Sequence, residues 1–486
     1  MHDITVQPTG CFFRPDSKRV LIRPFIPADD VKVRNIASRA LALSDADIET
    51  QLGILREDFD SRHIDIGGCW LRNFEIVKHR AGLSDELSLS RKSYVGALFS
   101  GEYALESAAL FNPSLVAHPD QSGVASGALR FVLSLRATGE GHISSIEFRS
   151  GVILADGSVQ VDDVFPLVVA PEVKKNPTYR KQIFLHKLRE MGFENDWSAL
   201  VMESLGESFT HRDLSESIQA AAQRVDTQPR EEERTMECLD WLARSNYEVH
   251  FSPDTVFSQR VIFPISANES NGIEDARFVR FEEEDGTAFY CATYTAYNGR
   301  AILPQFIETV DFVNFRVLTL NGSAVQNKGM ALFPRRINGK FAMISRQDDE
   351  NLFLMFSENL HFWNEPQFLR APLYPWEFVK IGNCGSPIET EHGWLVITHG
   401  VGPMRRYCIG AMLLDLADPT QIIGCLERPL IEPKGNDREG YVPNVVYSCG
   451  GIIHQGKLIL PYALSDTSST IGIVDLDELT KAILSK

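Results

Sequence analysis

The sequence has no apolar run approaching the roughly 18 residues that a membrane-spanning helix needs, so no membrane association is expected. It has no CxxC pair: its eight cysteines, Cys11, Cys69, Cys238, Cys291, Cys384, Cys408, Cys425 and Cys449, are scattered, which argues against a zinc or redox centre and suggests small buried side chains. No metal is expected. The opening MHDITVQPTGCFF lacks a basic stretch leading into an apolar one, and the expected location is cytoplasmic. Basic residues are also short in number, 48 against 65 acidic ones, for a formal charge of -17. Such a field repels a polyphosphate backbone, so no nucleic-acid partner is expected and a neutral ligand such as a sugar fits better. A small anion would require a local cluster of Arg, Lys and His.

What the sequence does have is 486 residues with 44% hydrophobic content, enough for a large repeat fold with appendages. Residues 1–95 are α-rich, with Asp29 and Asp30 leading into VKVRNIASRALAL and Ser44 capping IETQLGILREDFDSR. Residues 172–247 are again helical in pattern, through YRKQIFLHKLREMG, WSALVMESLGESF, LSESIQAAAQRV and EEERTMECLDWLARS, with Asp213 and Thr227 as starts. A solvated appendage is the simplest account of this segment, and it is also a candidate contact for a homo-oligomer. The remainder, residues 96–171 and 248–486, is strand-like up to DELTKAIL.

Five segments each carry an apolar strand into a polar residue: LRFVLSLRATG, AFYCATYTAYNG, KFAMISRQDDENL, GWLVITHGVGP and KLILPYALSDTSS, ending near Arg136, Tyr294, Arg346, His399 and Asp466. The last four are separated by 52, 53 and 67 residues, a spacing compatible with four-stranded propeller blades. The interval from Arg136 to Tyr294 is 158 residues, and the helical segment accounts for most of the surplus, as an insertion inside the first blade or after it. Innermost propeller strands converge on an axis, where five such residues would meet. Polar edges of a sandwich remain an alternative.

Arg346, Lys380 and His399 form a candidate anion clamp, combining a planar fork of donors, a point charge and a switchable donor. In NGIEDARFVRF, Asp275 is a candidate acid, because a glycosidic oxygen leaves only when protonated. Glu274 and Asp275 should alternate across an extended backbone, so that one faces the axis and the other pairs with Arg277 or a turn amide. A structural ion-pair turn is an equally good account of these residues. Tyr294, Tyr297, Tyr407, Tyr441 and Tyr462 could lay a ring on a pyranose or pack in the core. Asn112 in LFNPSLV could bond a sugar hydroxyl or simply form a turn.

The stretches GIEDARF, TYTAYNG, ALFPRRINGKFAMISR, VKIGNCGSPI, GWLVITHGVG, YCIGAMLLDLADPTQIIG, GYVPNVVYSCGGII and ALSDTSSTIG resemble, in order, the blades of glycoside hydrolase family 130, and FNPSLV with FVLSLRATG resembles its first blade. The resemblance implies a mainly β, five-bladed β-propeller and inverting phosphorolysis of β-mannosides to α-mannose 1-phosphate and a shortened acceptor. It implies Asp275 as the acid, acting through a sugar hydroxyl, and Arg346, Lys380 and His399, with Tyr407, as phosphate ligands. Asn112, Arg136 and Asp466 match positions that contact the sugar at the cleavage site. Tyr294 and Tyr441 join them as candidate substrate contacts. No cofactor is implied, only inorganic phosphate as co-substrate. Because phosphate is already an anionic nucleophile, no second carboxylate is needed as base.

The sequence departs from the family at several places. Ala276 stands where Pro is common, Asn298 where Asp is, and Tyr441 where Phe is, and QDDEN follows Arg346 in place of an HRP-like continuation. The competing expectations are an inverting β-mannosidase, with Glu389 or Glu439 activating water, and a sugar-binding propeller without catalysis. Retention of all three basic residues favours phosphorolysis.

Overall fold

Local capping explains where the first helices begin. Asp29 accepts a hydrogen bond from the Val31 amide at the head of helix Asp30–Leu41, and Ser44 and Asp47 form a reciprocal capping box on helix Asp45–Phe59. Two further helices, Ile66–Ala81 and Leu89–Leu98, complete the α-rich amino-terminal region. The computed structural model describes residues 4–174, 177–223, 229–299 and 302–485. Among these residues no helix is long and apolar enough to cross a membrane.

The chain is mainly β and, among the described residues, builds five large antiparallel sheets. Sheet I contains Ala109–Ala117, Leu129–Thr138 and Ser144–Ile153, extended by Val159–Val161 and Val261–Ile262. Sheet II runs Gly272–Glu282, Ala288–Tyr297, Ile302–Thr309, Asn314–Thr319, Tyr247–His250 and Glu172–Val173. Sheet III comprises Ala331–Leu332, Phe341–Ser345, Leu352–Ser357 and Pro366–Arg370. Sheet IV is led by Lys380–Asn383 beside Gly393–Gly402, Arg406–Leu414 and Ile422–Cys425. Sheet V places Val446–Tyr447 beside Lys457–Leu464 and Ser468–Asp475, and its last strand is Gln7–Phe13 from the amino terminus, with Gln7 opposite Ile473.

Burial of apolar side chains joins these sheets in sequence. Phe148 and Phe278 share a core between sheets I and II, and Phe281 and Met343 one between II and III. Ile344 and Trp394 share one between III and IV, and Leu413 and Leu460 one between IV and V. Leu133 and Ile459 then share a core between sheets V and I. Hydrophobic packing therefore runs in a closed circuit, the non-directional term that holds most of the fold together.

The helical segment interrupts sheet I instead of following it. After Lys181–Glu190, Asp196–Glu203, His211–Ala222 and Pro229–Arg244, the chain adds Tyr247–His250 to sheet II and only then returns Val261–Ile262 to Ser144–Ile153 of sheet I. A boundary at 171/172 thus separates strands that pair in one sheet. The helices have their own core around Phe184, Trp197, Val201 and Leu239. Thr210, not Asp213, caps His211–Ala222, with Asp213 closing the capping box from the third position, and Thr227 lies outside the described residues. Lys187 anchors the group by donating to the Leu320 carbonyl at 3.1 Å.

At the other end, Arg19 lies between the buried carboxylates of Glu106 and Glu147, 2.7 Å from each, and Arg149 bonds the same pair at 2.7 and 3.2 Å. The two guanidiniums bonded to these two acids fasten the amino-terminal segment to sheet I, and burial beside Glu147 pushes the Glu106 carboxyl up to about 8.

Candidate active site

Two bulges place the first group of polar residues. Pairing between the first two strands of sheet I slips between Phe111 and Ser114, and in sheet II between Glu274 and Arg277. Asn112 and Asp275 occupy these slips with φ of 48° and 55°. Asn and Asp tolerate the left-handed region better than other side chains bearing a Cβ, and a bulge re-aims the side chain it carries. As a result Asn112 donates from Nδ2 to Asp275 Oδ1 at 2.5 Å.

The bulge also overturns the expected alternation of Glu274 and Asp275. Arg136 reaches both, with Nη2 2.7 Å from Glu274 Oε1 and Nη1 3.4 Å from Asp275 Oδ1. Glu274 takes Lys328 as its second cation, at 2.6 Å. Arg277 does not pair with Glu274; it donates to the Asp275 carbonyl at 2.9 Å and to the Tyr447 hydroxyl at 2.8 Å. Burial pushes the Asp275 carboxyl up, but Arg136, Arg277, Lys328 and the Asn112 amide together hold it below the usual aspartate range. The free protein therefore keeps Asp275 ionised.

Asp466, at φ 49°, experiences the opposite balance. Burial, opposed by Arg136 and reinforced by Asp275, raises it to about 7. Stability contributed by its protonated form is complete below the unfolded value and is lost as pH rises through about 7. Asp466→Asn should therefore hold its melting temperature more nearly constant than the unmodified protein does between about pH 4, the ordinary aspartate value, and about pH 7. Parallel melting curves for the two across that window would rule out this ionisation.

The second group comes from sheets III and IV. Arg346 follows Phe341–Ser345, Lys380 opens the edge strand Lys380–Asn383, and His399 lies on Gly393–Gly402. Gly382 permits their approach, since a Cβ there would stand 2.3 Å from His399 Cε1 and 3.0 Å from Arg346 Nη1. Arg346 Nη1 lies 3.0 Å from His399 Nε2. A guanidinium can only donate, so Nε2 accepts. Burial, followed by Arg346, Arg277 and Lys380, holds His399 well below the usual histidine value. His399 is thus a fixed neutral acceptor that orients Arg346, not the switchable donor expected from its residue type. Asp349 bridges the two cations, 3.2 Å from Arg346 Nη2 and 3.0 Å from Lys380 Nζ.

Aromatic rings connect the two groups. The Tyr447 ring meets His399 edge-on at 4.9 Å, and Tyr407 stacks on His399 with ring centroids 6.1 Å apart and planes at 15°. An unbroken set of contacts therefore runs from Asp275 through Arg277, Tyr447, His399 and Arg346 to Asp349 and Lys380.

The model of a sequence family described as beta-1,4-mannooligosaccharide phosphorylase, glycoside hydrolase family 130, matches residues 242–484. The chain belongs to glycoside hydrolase family 130. It is similar to the 1,2-beta-oligomannan phosphorylase of Thermoanaerobacter sp. (strain X514), 31% identical over 247 residues that cover 49% of this chain and 81% of that one. It is also similar to the Beta-1,2-mannobiose phosphorylase of Listeria innocua, 30% identical over 235 residues covering 47% and 63% of the two chains. The Beta-1,4-mannooligosaccharide phosphorylase of Ruminococcus albus is 32% identical over 171 residues, covering 33% and 51%.

Within this family 130 chain, two of the sequence candidates have different surroundings from those expected. Tyr294 is only 2% exposed, and its hydroxyl donates to Glu269, which also accepts from Tyr247 at 2.9 Å. A buried carboxylate requires such donors, and Tyr294 presents no ring face to a sugar. Tyr441 is 47% exposed and hydrogen-bonds His142 Nδ1 at 2.7 Å. Glu389, expected as a base in the hydrolase alternative, pairs with Arg335 at 2.6 Å and lines a cavity containing none of Asp275, Arg346, Lys380 or His399. Glu439 is exposed. Sequence reasoning missed Lys328, Tyr447 and Asp349 as members of the network; Asp349 alone carried a signal, in the QDDEN departure.

Proposed function

We propose that this protein catalyses inverting phosphorolysis of β-mannosides on a five-bladed β-propeller. The closed circuit of five sheets, completed by Gln7–Phe13, supports the propeller. Its five edge strands provide Asn112, Asp275, Lys380 and Tyr447 directly, and Lys328 three residues before Ala331–Leu332. The observation that carries the function is the contact chain joining a carboxylate, Asp275, to a cationic pair, Arg346 and Lys380, in an otherwise acidic protein.

In this scheme Arg346 and Lys380 hold phosphate, His399 and Tyr407 orient them, and phosphate oxygen attacks the anomeric carbon from the face opposite the leaving oxygen. The β-glycosidic bond breaks as the new bond forms, giving α-mannose 1-phosphate. Asn112, Arg136 and Asp466 bind the sugar being transferred, and Tyr441 borders it. The proton for the leaving oxygen comes by way of Asp275. Packing a sugar against Asp275 excludes water and shifts its carboxyl towards the protonated form. Phosphate supplies the negative charge of the nucleophile, so water need not be activated.

The test is to incubate the protein with β-1,2- and β-1,4-linked mannobiose, the linkages named for its relatives, with and without phosphate. α-Mannose 1-phosphate should form from at least one, and only when phosphate is present. Release of free mannose at the same rate in phosphate-free buffer would make the protein a hydrolase.

A further inference from the structure

Asp349 is an anionic side chain where the proposed function requires an anion to enter. Its Oδ1 lies 3.2 Å from Arg346 Nη2 and its Oδ2 3.0 Å from Lys380 Nζ, one oxygen on each cation. With His399 neutral, Asp349 cancels one of the two positive charges that Arg346 and Lys380 bring together. What remains is little to hold a dianion if charge alone decides binding.

The backbone beneath Asp349 is pinned by hydrogen bonds, while its half-exposed side chain is held by the two ion pairs. Asp348 Oδ1 accepts from the Glu350 and Asn351 amides at 2.9 and 2.8 Å, and the Ile381 amide donates to the Glu350 carbonyl at 3.0 Å, tying the turn to the strand that carries Lys380. Asp349 itself sits at φ 63°, in the left-handed region, and its side chain is 51% exposed. A rotation about its side-chain bonds can release the two cations, but the carboxylate remains tethered beside whatever takes its place.

A carboxylate in that position discriminates between anions by their protons. It is an acceptor only, so a neighbouring oxyanion either donates a hydrogen bond to it or faces like-charge repulsion in a partly desolvated pocket. Inorganic phosphate near neutral pH retains at least one P–OH and can donate. Sulfate, fully deprotonated and of similar shape, cannot.

We propose that Asp349 is a specificity-determining residue of the anion pocket, accepting the P–OH of hydrogen phosphate held by Arg346 and Lys380 and rejecting oxyanions that carry no proton. This rests on the phosphorylase function proposed above, but its test reads binding and not turnover. The dissociation constants of inorganic phosphate and of sulfate are measured by calorimetry near neutral pH for the unmodified protein and for Asp349→Asn. An asparagine amide can donate to either anion and suits a left-handed backbone. Asp349→Gly, which relieves the backbone constraint altogether, serves as a second variant.

The unmodified protein should prefer phosphate to sulfate. In both variants the ratio of the sulfate to the phosphate dissociation constant should fall by about tenfold or more, because Asp349→Gly removes the repulsion and Asp349→Asn also puts a hydrogen-bond donor in its place. If Asp349 only positions Arg346 and Lys380, both anions weaken together and the ratio does not move. An unmoved ratio, or an unmodified protein that binds sulfate as tightly as phosphate or binds neither, overturns the proposal. Phosphate-independent mannose release, measured separately, would instead overturn the phosphorylase function and leave the binding ratio to stand or fall alone.

Discussion

Asp275→Asn should leave the protein folded and lower its turnover of a β-mannoside by about 100-fold or more, the usual consequence of removing a general acid. The substitution is nearly isosteric, and the new side-chain oxygen can still accept from Asn112, which now donates at 2.5 Å. What it removes is the capacity to carry a proton, together with one negative charge among Arg136, Arg277 and Lys328. Because those cations hold Asp275 ionised in the free protein, the rate of the unmodified enzyme should depend on how far the bound sugar restores protonation. Phosphate binding should survive, since Asp275 reaches the cationic pair only through Arg277, Tyr447 and His399. The check is a steady-state comparison backed by a thermal melt. Near-normal turnover in a correctly folded variant would remove Asp275 from the mechanism.

Arg346→Ala should weaken phosphate binding by roughly ten- to hundredfold, the worth of one or two hydrogen bonds to a charged group. Arg346 is the centre of the second group, touching both His399 and Asp349, so its loss also frees His399 from its donor and leaves Lys380 alone with Asp349. Lys380→Ala removes a peripheral cation and should cost less. A contact equally strong in ground and transition states would appear as a raised Michaelis constant for phosphate, and one that strengthens during attack would appear as lower turnover. Initial rates with phosphate varied from zero to saturation separate the two. An unchanged phosphate dependence in Arg346→Ala would mean that phosphate binds elsewhere.

Much of the chemistry was legible in the sequence because it depends on residue type and chain order. Ser44 before an amphipathic run capped its helix, as side-chain acceptors do at exposed amides. The polar residues at the strand ends kept equivalent places, since Arg136, Tyr294, Arg346, His399 and Asp466 each lie on or just beyond the second strand of sheets I to V. The ordered motifs around Asp275, Lys380 and His399 were sufficient to point to the family whose model spans residues 242–484.

Other features depended on contacts between residues far apart in the chain. Tyr294 and Tyr407 look alike in sequence, both tyrosines at strand ends, yet Tyr294 is buried against Glu269 and Tyr407 stacks on His399. That Glu274 and Asp275 both reach Arg136 follows from a slip in strand pairing, and alternation along an extended chain predicts the opposite. Val261–Ile262 returns to sheet I after the whole helical segment because burying that sheet's outer strand outweighs the modest extra entropy of closing a longer loop. By itself the sequence determined which side chains were available and in what order. Only the tertiary structure decided which face each presents and which charges meet, because pairing register and burial are set by partners that local sequence does not contain.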